Sequence, residues 1–247
     1  MYSTKFGNMV FATITNRFQF KFRDRTSAGN ILGEILKDSI KSEEREETVV
    51  FGIPRGGVIT ADRVAKKLSA FGFDLIITKK LTYPNDEEQA VGAVAEDGIT
   101  YLDVRFAHEP RISPIFLEQE KSKQLLEIKR RAMLYLERPT RDIGSVLKDR
   151  IAILVDDGAA TGATIIAAAK CIRRLHQRPK RLIIGVAIAP RNIVSLLERE
   201  CEAEVKAIIT PASTTFHSVE QYYKNFEQIS DEQVISLVKG IVSNRSS

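Results

Sequence analysis

Residues 151–175 constrain the fold of this chain more than any other stretch. Ile151, Ala152, Ile153, Leu154 and Val155 form an unbroken apolar run, the mark of a strand covered on both faces. Ile165, Ala168, Ile172 and Leu175 then recur at helical spacing. Between them lie Asp156, Asp157, Gly158, Ala159, Ala160, Thr161, Gly162, Ala163 and Thr164. A tight loop therefore joins the carboxyl end of a strand to the amino end of a helix. A helix start offers unpaired N–H groups and a positive dipole end, so it attracts anions. Gly158 and Gly162 let the backbone approach a ligand closely. Ala159, Ala160 and Ala163 add little bulk, and Thr161 and Thr164 supply hydroxyls. Asp156 and Asp157 repel a phosphate, but they can accept from vicinal hydroxyls or hold a hydrated cation. The whole suits a sugar phosphate. A plain strand–turn–helix with an Asx turn and a threonine cap explains any two of these residues, but it does not require the full string.

Similar strands recur along the chain. Thr48 to Ile53 reads as a buried strand ending at Pro54, Arg55, Gly56 and Gly57, followed by a helix from Val58 to Leu68. Leu75 to Thr78, Leu182 to Ala189 and Val205 to Ile209 complete a set of five, with a helix from about Asn192. Strands alternating with helices predict an α/β fold: an open parallel five-stranded sheet with helices on both faces. In such sheets ligands bind beyond the carboxyl ends of the strands. The loops at Arg55–Gly57 and Asp156–Thr164 both leave strand ends, so they are expected at one edge, facing one ligand.

Other elements read less regularly. Phe18, Phe20 and Phe22 alternate with polar residues, as in a strand with one buried face. A helix is expected from Ala28 to Ile40, capped among Asp24, Thr26 and Ser27. Tyr83 to Gln89 is polar and turn-rich and reads as a mobile loop. Val91 to Ala95 and Ile99 to Leu102 flank Glu96, Asp97 and Gly98, a hairpin signal. Ser113 and Pro114 open a long helix reaching about Glu137, with Pro139 beyond it. Ser230 and Gln233 resemble a capping box for a last helix, with Val234, Leu237, Val238 and Ile241 inward.

Composition excludes several classes. The chain has 247 residues and reads as one domain, long enough to bury a core without disulfides or a structural metal. Cys171 and Cys201 have no metal-ligand spacing, which points to a reducing, cytoplasmic setting, with Cys171 in the core. The net charge of +5 favours anionic substrates but is too diffuse to argue for nucleic acid. The longest apolar run, Leu182 to Ala189, is strand-sized, where a membrane span needs roughly 20 residues. Met1 to Met9 lacks a signal-peptide core.

The string from Ile151 to Thr164 resembles the phosphoribosyl-diphosphate (PRPP) signature of type I phosphoribosyltransferases: a hydrophobic strand, two acids and a small-residue loop ending Thr161, Gly162, Ala163, Thr164. Phe51 to Val58 looks like that family's pyrophosphate loop. Lys79, Lys80 and Leu81, then Ala90 to Gly98, look like the flexible-loop region of an uncharacterised subgroup, and the stretch from Phe216 to Val234 resembles that subgroup's ending. The resemblance runs from about Phe18 to about Val238. It implies a single domain with hood elements from residues about 10–25 and about 210–247, a homodimer, and Mg2+-dependent transfer of phosphoribosyl from PRPP to a nitrogenous acceptor, nucleobases among the candidates, releasing pyrophosphate.

On that resemblance the amides of Gly158 to Thr164, with the hydroxyls of Thr161 and Thr164, hold the 5-phosphate. Asp156 and Asp157 hold the ribose hydroxyls and lie near the anomeric carbon as it becomes cationic. The amides of Arg55, Gly56 and Gly57 cradle the pyrophosphate. Magnesium is held mainly by PRPP and water near Asp156 and Asp157, with no dedicated protein cage. Lys80 is the candidate lid charge; a solvated surface lysine is the plainer reading, and Lys79 reads as ordinary surface.

The acceptor site stays open. Phe18, Phe20, Phe22, Phe216, Tyr222, Tyr223 and Phe226 suit base stacking, but each fits core packing better. His217 reads as an exposed loop histidine, and His108 and His176 show no partner pattern. The charged helix around Glu127, Arg130, Arg131 and Tyr135 reads as a solvated face, with a cleft wall as the alternative. Enzymes for 6-oxopurines carry Asp just before the Thr-Gly of this loop; Ala160 stands there, which argues against hypoxanthine and guanine. The competing class is a non-catalytic PRPP-sensing regulator, which keeps the loop but needs neither Lys80 nor a lid. No nucleic-acid-binding tract accompanies it. A dinucleotide or P-loop binder is opposed by the absence of either glycine motif.

Overall fold

The computed structural model describes residues 3–6, 9–12, 20–84, 86–106, 109–137 and 142–244. Strands β1 (Ser3–Phe6) and β2 (Met9–Ala12) form an antiparallel pair. The centre is a five-stranded parallel sheet of β3 (Thr48–Gly52), β4 (Gly72–Leu75), β8 (Ile151–Asp156), β9 (Arg181–Ile188) and β10 (Glu204–Ile209), in the order β10-β9-β8-β3-β4. Between β4 and β8 the chain leaves the sheet. It builds a three-stranded antiparallel sheet from β5 (Thr78–Tyr83), β6 (Asp86–Ala95) and β7 (Thr100–Leu102), then the long helix α3 (Pro114–Leu136) and the short α4 (Ile143–Leu147).

The period-2 pattern of the strands decides which helices cover which face. Val50, Ile151, Ile153, Val155 and Ile183 share a core with α1 (Arg25–Lys37), α2 (Gly56–Leu68) and α7 (Asp231–Asn244). Val49, Phe51, Ala152, Leu154 and Ile184 face the other way, onto α5 (Ala163–Arg174) and α6 (Arg191–Cys201). Both faces of β8 are closed, and all six of its residues are buried. That is why its sequence is apolar throughout rather than alternating.

The caps follow the local chemistry. Asp24 accepts from the backbone N–H of Ser27 at the start of α1, and the Ser27 hydroxyl closes the capping box. Ser113 caps α3 with Pro114 in its first turn. Ser230 and Gln233 bond reciprocally before α7. Within α7, Val234 and Val238 are buried and Leu237 is partly so; the side chain of Ile241 lies outside the described residues.

Two expectations need correction. Leu75 to Thr78 is not one strand. β4 ends at Leu75, and β5 starts at Thr78 in the other sheet. An apolar run gives no sign of a change of hydrogen-bonding partner when Ile76 and Ile77 stay buried across the corner. Tyr83 to Gln89 is not a loop either: apart from the turn, it is strand in the β5–β6 hairpin, with Tyr83 paired to Asp86. Its polar residues sit in a ladder built from the backbone, which tolerates them where side chains face solvent. The expected strand through Phe18 lies partly outside the described residues. Phe22 makes only a single parallel bridge, to Tyr223.

Candidate functional site

The carboxyl ends of β3 and β8, neighbours in the sheet, bring two loops into contact. Ile53 donates its backbone N–H to the Val155 carbonyl at 3.2 Å. Beyond that point the chain runs through Pro54, Arg55, Gly56 and Gly57, with a cis peptide between Pro54 and Arg55. A Cβ on Gly57 would lie 2.6 Å from Asp156 Oδ1, and one on Gly56 would overlap Asp157 Oδ2. Only residues without a side chain let the first loop lie against the paired acids, a constraint invisible in Arg-Gly-Gly read alone. After the acids, Gly162 adopts φ +75 at the cap of α5, a left-handed conformation that a side chain would strain. The Ala163 N–H reaches Thr161 Oγ1 at 3.4 Å. The remaining N–H groups of the first turn of α5 stay available to an anion.

The two acids differ sharply in environment. Asp156 is buried, and burial together with the charge of Asp157 holds its carboxyl well above the usual range, although its Oδ1 accepts from the Asp157 N–H at 2.8 Å. Asp157 is bound by a residue the sequence did not single out. Arg25 Nε lies 2.5 Å from Asp157 Oδ2. The same guanidinium donates through Nη1 to the Glu227 carbonyl at 2.7 Å and stacks 3.8 Å over Phe226. Tyr223 donates its hydroxyl to the Asp157 carbonyl at 2.7 Å, and burial first, then the charge of Asp157, pushes its pKa up, so the hydroxyl keeps its proton. A 132-residue separation hides the Arg25–Asp157 pair from any local reading.

Asp156 gives a pH-dependent prediction. In the unfolded chain an aspartate releases its proton near pH 4, whereas folded Asp156 keeps it to higher pH. The native state then binds more protons, so this group's contribution to stability falls as pH rises from about 4 through the raised native value. Asp156→Asn removes that fall. Urea unfolding at pH 4 and pH 7 should show the variant gaining on the wild type at the higher pH; an equal gap at both would contradict the burial argument.

Phe22, Phe216, Tyr222, Tyr223 and Phe226 pack against one another or against Arg25, whereas Phe20 is 41% exposed and Phe18 lies outside the described residues. Tyr222 and Tyr223 are buried, Phe216 stacks on Tyr222 with rings 6.1 Å apart, and Phe22 lies 5.4 Å from Tyr223. The backbone of Phe22 and Arg23 pairs with Tyr222, Lys224 and Asn225, so the residues just before α1 meet the carboxyl-terminal segment. His176 and His217 are exposed, and His108 lies outside the described residues. Cys171 and Cys201 are both buried, and burial pushes the Cys201 thiol up to about 12. Among the described residues no group of three His, Cys, Asp or Glu side chains could hold a metal, and no helix is long and apolar enough to cross a membrane. The oxygen donors of Asp156 and Asp157 nonetheless fit a hard cation that keeps most of its ligands from substrate and water.

A cleft of about 830 Å³ opens beside these loops. Pro54 and Thr164 line it from the two loops, Lys79 and Lys80 from β5, and Lys123, Glu127, Arg130 and Arg131 from α3. The charged stretch of α3 is therefore a cleft wall rather than a wholly solvated face. Lys79 is the more enclosed of the two lysines and Lys80 is exposed, the reverse of an ordinary surface role for Lys79 alone.

The sequence profile of the phosphoribosyl transferase domain matches residues 24–226. The chain belongs to the phosphoribosyl transferase family. Two relatives, from the CDC 1551 and H37Rv strains of Mycobacterium tuberculosis and provisionally named phosphoribosyl transferases, are 37% identical over 218 residues, 88% of this chain. The chain spans about half the length of these relatives, 46%. The solved structure of TT1426 from Thermus thermophilus is 33% identical, with a TM-score of 0.69, covering 90% of this chain and 99% of that one. The matched span in this phosphoribosyl transferase begins at the Asp24 cap, beside Arg25, and ends at Phe226, the ring over which Arg25 stacks.

Proposed function

We propose that this phosphoribosyl transferase carries out Mg2+-dependent transfer of the 5-phosphoribosyl group from PRPP to a nitrogenous acceptor, with release of pyrophosphate. The observation that supports it most is the contact between the Arg55–Gly57 loop and the acids Asp156 and Asp157 at one sheet edge. In this reading Gly158 to Thr164, with the Thr161 and Thr164 hydroxyls, hold the 5-phosphate at the start of α5. Asp157 accepts from the ribose hydroxyls and lies where positive charge grows at the anomeric carbon. Arg25 fixes the orientation of Asp157 while Asp156 supports it from below. The amides of Arg55, Gly56 and Gly57 receive the departing pyrophosphate. A magnesium ion, when bound, neutralises charge on the phosphates. Lys80, exposed on β5, supplies a further cation to the leaving group, and closure over the cleft excludes water.

The direct test incubates the protein with PRPP and magnesium against a panel of nucleobases and amines, scored by pyrophosphate release. Lys80→Ala should lower turnover on the order of tenfold or more with an unchanged thermal transition, as expected for loss of one charge contact to a transition state. Full activity in that variant would remove the lid role. Tight PRPP binding with no turnover on any acceptor would place the protein among non-catalytic sensors.

A further inference from the structure

The cleft beside the loops is too cationic and too long to serve the pyrophosphate alone. Five cationic side chains line it against one carboxylate, Glu127. That carboxylate is committed: Arg130 grips it at 2.7 and 3.1 Å and Arg131 at 2.8 Å, and these bonds, Arg130's first, hold Glu127 down at about 2. Lys79 and Lys80 have no carboxylate partner among the described residues. Burial, followed by the positive charge of Arg131, lowers the proton affinity of Lys79 despite Glu127 nearby, so its surroundings are short of negative charge.

The cations are also spread out. Lys123 and Arg130 stand seven residues apart on α3, roughly 10 Å along the helix. Pyrophosphate is shorter than that span, and in the reading above it already has the amides of Gly56 and Gly57. Arg55 does not extend into the cleft's far end. Its guanidinium turns toward Asp231 at 3.9 Å, and Asp231 in turn accepts from Tyr135 and pairs with Arg130 at 3.6 Å. Asp231 thus ties the loop to α3 and holds Arg130 in place. Leu126, 69% exposed, adds an apolar surface among the charges. Because Pro54 and Thr164 line the cleft, whatever occupies it lies next to the loops that the PRPP reading assigns to the sugar phosphate.

We propose that the cleft between β5 and α3 selects the acceptor, and that the acceptor carries a carboxylate or phosphate which Arg131, Lys79 and Lys123 recognise. The inference rests on the PRPP reading of the adjoining loops. It gives the chain an acidic substrate class rather than a neutral base, and it assigns a binding role to a helix whose charges read as surface. Arg131, only 13% exposed through its side chain, is the most enclosed of the α3 cations and the main determinant.

The test uses the full chain loaded with ribose 5-phosphate and isothermal titration with four probes: pyridine-2,3-dicarboxylate, its neutral diamide, phenyl phosphate and inorganic pyrophosphate. An acidic probe should bind at least about tenfold more tightly than the diamide, and the dicarboxylate and phenyl phosphate arms separate a carboxylate from a phosphate preference. Arg131→Gln with Lys123→Gln should weaken the preferred acidic probe about tenfold while leaving ribose 5-phosphate affinity unchanged; Arg131→Lys should restore part of it. Equal binding of acidic and neutral probes overturns the inference. So does a variant that loses pyrophosphate alone, since the cations would then serve the leaving group. Failure of ribose 5-phosphate to bind the wild type sinks the PRPP reading itself, a separate outcome.

Discussion

Asp157→Asn should weaken ribose 5-phosphate binding by roughly ten- to a hundredfold, the worth of hydrogen bonds to a charged group, and should cut turnover by on the order of a hundredfold. The substitution keeps the shape of the side chain and removes its charge. The site then loses one of two acceptor oxygens, the charge that strengthens the remaining hydrogen bond to a vicinal hydroxyl, and the negative field at the anomeric carbon. Arg25 stays beside the amide, 2.5 Å from where a carboxylate oxygen stood, and its charge would oppose a developing cation instead of being cancelled. Calorimetry with ribose 5-phosphate and a pyrophosphate-release assay read the two effects separately. Wild-type affinity in the variant would remove Asp157 from the sugar site.

Arg25→Met should cost about 3 kcal/mol of folding stability, the scale for removing one partner of a buried ion pair. Both side chains of the pair are largely enclosed, at 9% and 13% exposure, so water cannot replace what is lost. Asp157 would lose its cation beside Asp156, whose own carboxyl already resists charging, and the link to the Glu227 carbonyl would go as well. The double variant Arg25→Met, Asp157→Asn should be less destabilised than the sum of the two single changes, because it leaves no unpaired charge. Urea unfolding of all four proteins measures this. Strict additivity would mean that the pair carries no coupling.

Much of this protein was readable locally. Four of the five buried strands, the long α3 with its Ser113 and Pro114 start, and the capping box before α7 depend on near neighbours in the chain. The paired acids and their small-residue loop could be read for the same reason. The break between β4 and β5 was hidden, because burial, which the pattern reports, continues while the strand partner changes. The β5–β6 hairpin was hidden because its polar residues resemble a loop.

Sequence alone determined the parallel sheet, the edge at which the two loops emerge and the candidate residues from Asp156 to Thr164, since periodicity and backbone demands act over a few residues. Tertiary structure alone decided that Arg25 binds Asp157, that Tyr223 hydrogen-bonds the loop there, and that Arg130 and Arg131 line a cleft. The physical reason is distance along the chain. Electrostatic partners are chosen by proximity in space, and a charge separated by 132 residues from its counterion leaves no trace in the local pattern.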